Sequence, residues 1–119
     1  FCIGETLSEK RKKKTKSILS KQIKVGLDGV KDKPKIFIAY EPVWAIGTGL
    51  VPKSMDLLNT INFIKSKFIG KLPKVLYGGS VNPQNIKNLK EINNIDGFLI
   101  GGASQNAKKF IDIVKKTYT

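Results

Sequence analysis

One acidic residue, Glu41, follows directly on a short apolar run and is itself followed by a proline. The run at 36–40 is too short for a helix and is rich in β-branched and aromatic residues. It therefore predicts a buried strand, which ends where Pro42 removes a backbone donor. A loop of small and apolar residues with two glycines, Gly47 and Gly49, comes next. A single carboxylate at a strand end, beneath a loop that can fold over it, is the arrangement of a sheltered general base. The alternative is an ordinary acid that pairs with a lysine.

Two pairs of glycines follow two later apolar runs. One pair comes after the predicted strand at 74–77 and leads to Ser80, and the other, Gly101 and Gly102, comes after the predicted strand at 98–100. Either pair alone is most simply a tight turn. Two pairs at the ends of consecutive strands indicate backbone amides that converge on an anion.

Amphipathic stretches separate these strands and must hold them in place. Helices are predicted at about 8–30, from 54 to before 70, after the Asn-Pro pair at 82–83, and at about 106–116. The last helix is expected to bury Ala107, Phe110, Ile111 and Val114. Short apolar strands that alternate with helices predict an α/β fold with a parallel sheet and right-handed crossovers. Periodicity alone fits both a doubly wound sheet and part of an eight-stranded barrel.

Four segments of the chain resemble those of the triosephosphate isomerase family, in the family's order and at about its spacing. They are Cys-Ile-Gly-Glu at 2–5, Ala-Tyr-Glu-Pro-Val-Trp-Ala-Ile-Gly-Thr-Gly at 39–49, Tyr-Gly-Gly-Ser-Val at 77–81 and Asp-Gly-Phe-Leu-Ile-Gly-Gly-Ala-Ser at 96–104. The resemblance covers essentially the whole chain but only the C-terminal half of the family's enzyme. It implies an α/β fold of the (β/α)8 TIM-barrel type. Residues 1–119 would supply about the last four βα units of that barrel, as a single partial domain.

The resemblance also implies a chemistry for the predicted base. Glu41 would take a proton from a carbon beside a carbonyl and return it to the neighbouring carbon, which interconverts dihydroxyacetone phosphate and D-glyceraldehyde 3-phosphate; this scheme is established for the family. The resemblance assigns contacts with the substrate phosphate to Gly47, Ser80, Gly101 and Gly102. It implies a small phosphorylated triose as the ligand, with no cofactor and no metal.

The loop after the predicted base would be a mobile lid. Its residues are Pro42, Val43, Trp44, Ala45, Ile46, Gly47, Thr48 and Gly49. The resemblance implies that Trp44 moves with the hinge and meets Glu5, and that Tyr77 supports the closed lid. Pro52 departs from the family, in which the amide at this position often bonds to the tyrosine that matches Tyr77. Because proline has no N–H, closure is expected to be held in another way, for instance through Ser80.

A nucleotide-binding P-loop is a competing interpretation of the same stretch. Residues 47–54 match its pattern of a glycine, four residues, a second glycine, a lysine and a serine, except that Pro52 replaces the second glycine. Proline supplies neither the flexible backbone nor the N–H that this position needs. The isomerase interpretation is therefore favoured.

The chain is strongly basic, with 22 Lys and Arg residues against 9 Asp and Glu residues and a formal net charge of +13. Such a balance is also compatible with a non-catalytic phosphate- or nucleic-acid-binding module. The basic stretches lack the interleaved aromatic residues of a single-strand binding surface. Lysine-rich, solvated helix faces are therefore the favoured interpretation, and neither nucleic acid nor a membrane is expected as a partner.

The chain contains no histidine, whereas the resemblance implies an electrophilic histidine and a substrate-facing lysine upstream. The sequence begins with Phe1 inside an apparent strand end, so we expect a chain truncated at its N-terminus, inactive and prone to self-association when isolated. A homodimer is expected for the full-length enzyme by family resemblance. The single cysteine, Cys2, excludes an internal disulfide and fits a cytoplasmic location.

Overall fold

Four short strands lie side by side in one parallel sheet in a computed structural model that describes residues 1–119. The strands are β1 (Cys2–Ile3), β2 (Phe37–Tyr40), β3 (Lys74–Tyr77) and β4 (Gly97–Phe98). Their order in the sheet is their order in the chain, and all three neighbouring pairs are parallel. No strand crosses over to the other side of the first one, as a doubly wound sheet requires. The topology is that of consecutive units of a barrel wall, as predicted.

Five helices accompany the strands. They are α1 (Leu7–Arg11), α2 (Thr15–Gly26), α3 (Ser54–Lys65), α4 (Ile86–Lys90) and α5 (Ala107–Tyr118). Three single turns of 3₁₀ helix complete the elements, at Lys33–Lys35, Val43–Ala45 and Gly102–Gln105. None of the helices combines the length and the apolar character that crossing a bilayer requires.

The single helix predicted at 8–30 is wrong, because the structure has two helices there. The predicted capping box is confirmed: the Glu9 amide donates to Thr6 Oγ1 (3.3 Å) and the Thr6 amide donates to Glu9 Oε2 (2.7 Å). The chain then leaves the helix in the run of lysines, where Lys13 has a left-handed φ of 57°. In one continuous helix, Lys10 would lie on the same face as Lys13 and Lys14, and like charges at that spacing repel. Ending α1 here instead leaves Lys10 and Arg11 in its last turn, where the helix dipole favours cations.

The core lies between the sheet and the helices that cover one face of it. Leu19 and Ile23 of α2 and Leu57, Ile61 and Ile64 of α3 are buried, so each of these helices has one apolar side in the core. They belong to one cluster of 15 buried residues that also includes Ile38, Val75 and Ile113 from β2, β3 and α5. Burial of this cluster is what fixes the strands, and therefore the loops at their carboxyl ends.

The predicted buried face of the last helix is wrong. Ile113 is the buried residue of α5, whereas Ala107 is exposed, and Phe110, Ile111 and Val114 are between 40 and 52% exposed. This side of α5 is exposed because α5 follows β4, the last strand of the sheet, which has β3 as its only neighbour. The apolar side of α5 therefore borders an open groove of about 540 Å³ beside β4.

Candidate active site

The loops that carry the predicted site residues all leave the sheet at the carboxyl ends of its strands. The Glu41 amide donates to the carbonyl of Ile3 (2.8 Å), and the Gly78 amide donates to the carbonyl of Tyr40 (2.9 Å). The Leu99 amide continues the same pattern with the carbonyl of Tyr77 (2.9 Å). These bonds extend the parallel ladder one residue beyond each strand, so the loops start from fixed positions at the carboxyl ends.

Glu41 is half-buried at the end of β2, in a space that only glycine neighbours leave open. A Cβ on Gly4 would overlap the Glu41 carbonyl oxygen, and a Cβ on Gly78 would lie 2.5 Å from Glu41 Cγ. Both positions require glycine because Glu41 approaches them closely, not because their backbone is left-handed. The sequence pattern predicts turn and amide positions for the glycines after β3, and it carries no signal for this close approach at Gly78.

The thiol of Cys2 lies beside the Glu41 carboxylate. A hydrogen bond with Glu41, reinforced by partial burial and by the negative charge of that carboxylate, raises the pKa of the Cys2 thiol above its ordinary value. Cys2 is therefore a neutral thiol at physiological pH and adds no negative charge next to the predicted base.

A cavity of about 450 Å³ joins most of the residues predicted for the site. Its lining includes Glu41, Gly47 and Ser80, and it continues to Gly101 and Gly102 after β4. The volume is within the range of small-ligand pockets. The lining therefore combines one carboxylate with glycine-rich backbone at three loops.

The lid is tied to the loop after β3 by one side chain. The Ser80 hydroxyl donates to the carbonyl of Ala45 (2.6 Å) and accepts from the amide of Gly49 (2.9 Å). Gly47 and Gly49 have left-handed φ values of 66° and 78°, which glycine adopts without strain. Thr48 Oγ1 donates to the carbonyl of Trp44 (3.0 Å) and closes the tip. Ser80 thus bridges two points of the lid.

Glu5 lies beneath the start of the lid and is 1% exposed. Its carboxylate accepts from the Tyr40 hydroxyl (3.0 Å to each oxygen), from Thr15 Oγ1 (3.2 Å) and from Trp44 Nε1 (3.4 Å). Burial, then the charge of Glu5, raises the pKa of Tyr40 well above its ordinary value, so Tyr40 remains a donor. The structure therefore brings Trp44 to Glu5, and adds Tyr40 and Thr15 as partners that the sequence argument did not single out.

Tyr77 and Pro52 are both buried, and the Tyr77 hydroxyl has no hydrogen-bond partner. Burial raises the pKa of Tyr77 well above its ordinary value, so this hydroxyl is neutral and unpaired. In this arrangement Tyr77 makes no hydrogen bond to the lid, and the bonds that hold the lid come from Ser80. Lid support by Tyr77 stays a prediction.

One cation at the cavity, Lys109, was missed by the sequence argument. It lines the same cavity as Glu41 and lies in the first turn of α5, where its amide donates to Asn106 Oδ1 (3.0 Å). The signal was its spacing, because a first-turn residue of the helix that follows the last glycine pair returns to the strand ends. Among so many lysines, that spacing did not stand out.

Comparisons with known proteins identify the family. The family described as "Triosephosphate isomerase" matches residues 1–117. The chain is 44% identical over 121 residues to a triosephosphate isomerase from Thermodesulfovibrio yellowstonii, with 97% of this chain and 49% of that protein covered. It is also 44% identical over 124 residues to a triosephosphate isomerase from Dictyoglomus turgidum, with 97% of this chain and 50% of that protein covered.

The chain spans about half the length of the curated relatives it matches. These matches give no support to the alternative of a non-catalytic anion-binding module. With a family match that extends over 117 residues and the topology of consecutive barrel units, the chain belongs to the triosephosphate isomerase family.

Proposed function

We propose that this chain supplies the base, the lid and part of the phosphate site of a triosephosphate isomerase. The observation that carries the proposal is the 450 Å³ cavity, which Glu41 lines together with the lid and both glycine loops. The proposed reaction interconverts dihydroxyacetone phosphate and D-glyceraldehyde 3-phosphate. The proposed ligand is thus a small phosphorylated triose, and the proton transfer calls for no cofactor or metal.

Glu41 is the proposed catalytic residue. Its carboxylate takes a proton from the hydroxyl-bearing carbon beside the substrate carbonyl, and the electron pair moves to the carbonyl oxygen. That oxygen gains a proton, while the hydroxyl of the first carbon loses its proton and becomes the new carbonyl. The carboxyl group of Glu41 then returns its proton to the former carbonyl carbon. This is the scheme established for the family. A carbon acid is weak, so the base must be held in position and kept from water. The ladder bond of Glu41 to Ile3 and the lid above the cavity serve these two needs.

The phosphate end of the cavity is formed by backbone and short side chains. We propose that the backbone amides of Gly47, Ser80, Gly101 and Gly102 bind the phosphate oxygens, as amides do at other anion sites, while the Ser80 hydroxyl bridges the lid. A Cβ at Gly101 or Gly102 would meet no atom within 4 Å, so open space lies beside both glycines. Lys109, which lines the same cavity, is the proposed source of one positive charge near the phosphate.

The proposed activity needs a second half of the barrel. The chain contains no histidine to polarise the substrate carbonyl, and β1 and β4 each have a neighbour on one side only. We propose that an N-terminal half supplies the electrophile and closes the sheet, and that the whole enzyme is a cytoplasmic homodimer, as the family resemblance implies.

The test uses this chain joined to the N-terminal half of the Thermodesulfovibrio yellowstonii relative, called the joined protein below. Glu41→Gln keeps the size of the side chain and removes the base, so kcat should fall by about two to four powers of ten with unchanged thermal unfolding. Glu91→Gln is the matched control, because Glu91 is exposed and lies outside the cavity. Near-normal turnover of Glu41→Gln would refute the assignment of the base.

A further inference from the structure

The ammonium group of Lys10 lies over the indole ring of Trp44, 3.8 Å from the ring centroid. Lys10 belongs to α1 and Trp44 belongs to the lid, and both are half-buried. Together with Glu5 they line a cavity of about 270 Å³, which shares no lining residue with the proposed substrate site. Lys10 takes part in none of the three ion pairs of the structure. Its charge is therefore directed at the ring and not at a carboxylate partner.

The two contacts of Trp44 match the charge distribution of an indole. The edge of the ring is positive and carries the N–H, which donates to Glu5 Oε1 (3.4 Å). The face of the ring is negative and lies against the Lys10 ammonium. One contact at the edge and one on the face restrict the ring about two different axes. Both partners come from the segment after β1, outside the lid.

The position of Lys10 is set by the short helix that the sequence argument merged with α2. The Lys10 amide donates to the carbonyl of Thr6 (3.0 Å), within the turn that the Thr6–Glu9 capping box fixes. The chain turns away after Arg11. Because α1 is separate from α2, it has its own direction and presents Lys10 to the lid.

We propose that Lys10 is a lid-positioning residue, whose cation holds Trp44 and thereby the first part of the lid in the arrangement that Ser80 bridges. Trp44 is directly connected to the part of the lid that Ser80 holds. It lies in the same 3₁₀ turn as its neighbour Ala45, whose carbonyl accepts from the Ser80 hydroxyl (2.6 Å). The proposal rests on the proposed function, since it assigns a role within the same site. It does not place Lys10 in contact with substrate.

Trp44 is the only tryptophan of the chain, so its fluorescence reports on the lid directly. In the joined protein, Lys10→Gln should expose the ring face and increase quenching of Trp44 by acrylamide. It should also weaken the binding of 2-phosphoglycolate, whose carboxylate imitates the enediolate, by about two- to fivefold, the worth of a partly exposed cation–π contact. Lys10→Arg keeps a cation that stacks on aromatic faces and should restore both values. A Trp44→Phe protein gives the background from tryptophans of the other half.

Lys67→Gln is the matched control, because the Lys67 ammonium also lies over an aromatic ring, that of Phe63 (4.5 Å), away from the lid. It should change neither quenching nor inhibitor binding. The proposal is overturned if Lys10→Gln leaves both values unchanged, if Lys10→Arg fails to restore them, or if Lys67→Gln has the same effect. Acrylamide quenching of Trp44 does not require turnover. If the joined protein is inactive, that result counts against the proposed function, and the quenching measurement still decides the role of Lys10.

Discussion

Gly78→Ala tests whether Glu41, the proposed base, keeps its position because residue 78 has no Cβ. A Cβ at this position would lie 2.5 Å from Glu41 Cγ, 3.2 Å from Glu41 Cδ and 3.3 Å from Leu99 Cβ. Carbon atoms in contact are separated by about 3.5–4.0 Å. The new methyl group cannot move towards Leu99, so the Glu41 side chain must retreat by about 1 Å.

A displacement of that size has a predictable cost. A misplacement of about 1 Å at a reacting group lowers the rate by roughly a factor of 100, which is a barrier increase of about 2.7 kcal/mol. We therefore expect kcat of the joined protein to fall about 100-fold in a steady-state isomerase assay. The proposed phosphate contacts remain, so KM should change much less.

Two comparisons separate this effect from a general loss of structure. Gly97→Ala is the matched control, since its Cβ would meet only Leu76 Cδ2 at 3.0 Å, the far end of a flexible side chain. It should leave kcat within about threefold of the starting value, as expected of a small local adjustment. When Glu41→Gln is already present, Gly78→Ala should lower kcat little further, because the carboxylate that it displaces is already gone. The proposed role of Gly78 is refuted if Gly78→Ala alone leaves kcat within threefold of the starting value, or if it lowers kcat 100-fold with and without Glu41→Gln.

Three further predictions concern the joined protein. Tyr77→Phe removes a buried hydroxyl without a partner, so the free energy of unfolding should rise by up to about 1 kcal/mol; denaturant unfolding that shows a loss would mean that the hydroxyl is bonded. Gly102→Val places a branched side chain in the open space beside the proposed phosphate site. The side chain should keep the phosphate from one hydrogen bond, so KM should rise about 10- to 100-fold, which is what one charge-assisted bond contributes, with unchanged thermal unfolding. An unchanged KM would count against the proposed phosphate site. Burial raises the pKa of Asp96, but hydrogen bonds from Lys65 and the Val75 amide, with the charges of Lys65 and Lys74, outweigh it and hold this pKa below its ordinary value. The stabilisation they give is therefore complete above the unfolded pKa of about 3.9 and is lost as the pH falls through the folded pKa. Asp96→Asn should lower Tm at pH 7 by on the order of 4 °C and flatten the fall of Tm between pH 5 and pH 2; parallel pH profiles of Tm would contradict this.

The parts of the fold that the sequence predicted are those that depend on local pattern. The strand Lys74–Tyr77 has the predicted bounds, and the capping box at Thr6 is present as expected. The Asn-Pro pair at 82–83 was expected to start a helix directly. The structure has an Asx turn there, in which Asn82 Oδ1 accepts from the amides of Gln84 and Asn85, and α4 begins only at Ile86. Side-chain to backbone bonds of this kind compete with a helix on nearly equal terms.

The parts that the sequence could not give depend on neighbours distant in the chain. The apolar side of α5 has the correct helical spacing, but its burial depends on what lies beyond β4. Lys10 and Lys109 are two among many basic residues, and only folding brings one to Trp44 and the other to the cavity of Glu41. Glu41, the proposed base, stands out by its position directly after an apolar run, whereas the lysines carry no such local mark.

The strand order of the sheet also sets how the chain can be assembled. Cys2 is in register with Ala39, Ile38 with Val75 and Leu76 with Gly97, so every strand pairs with the one made just before it. Each pairing closes a loop of a single βα unit, and the entropic cost of closure is therefore similar at every step. A chain emerging from the ribosome can add one unit at a time to the growing edge of the sheet, without waiting for any segment still to be synthesised.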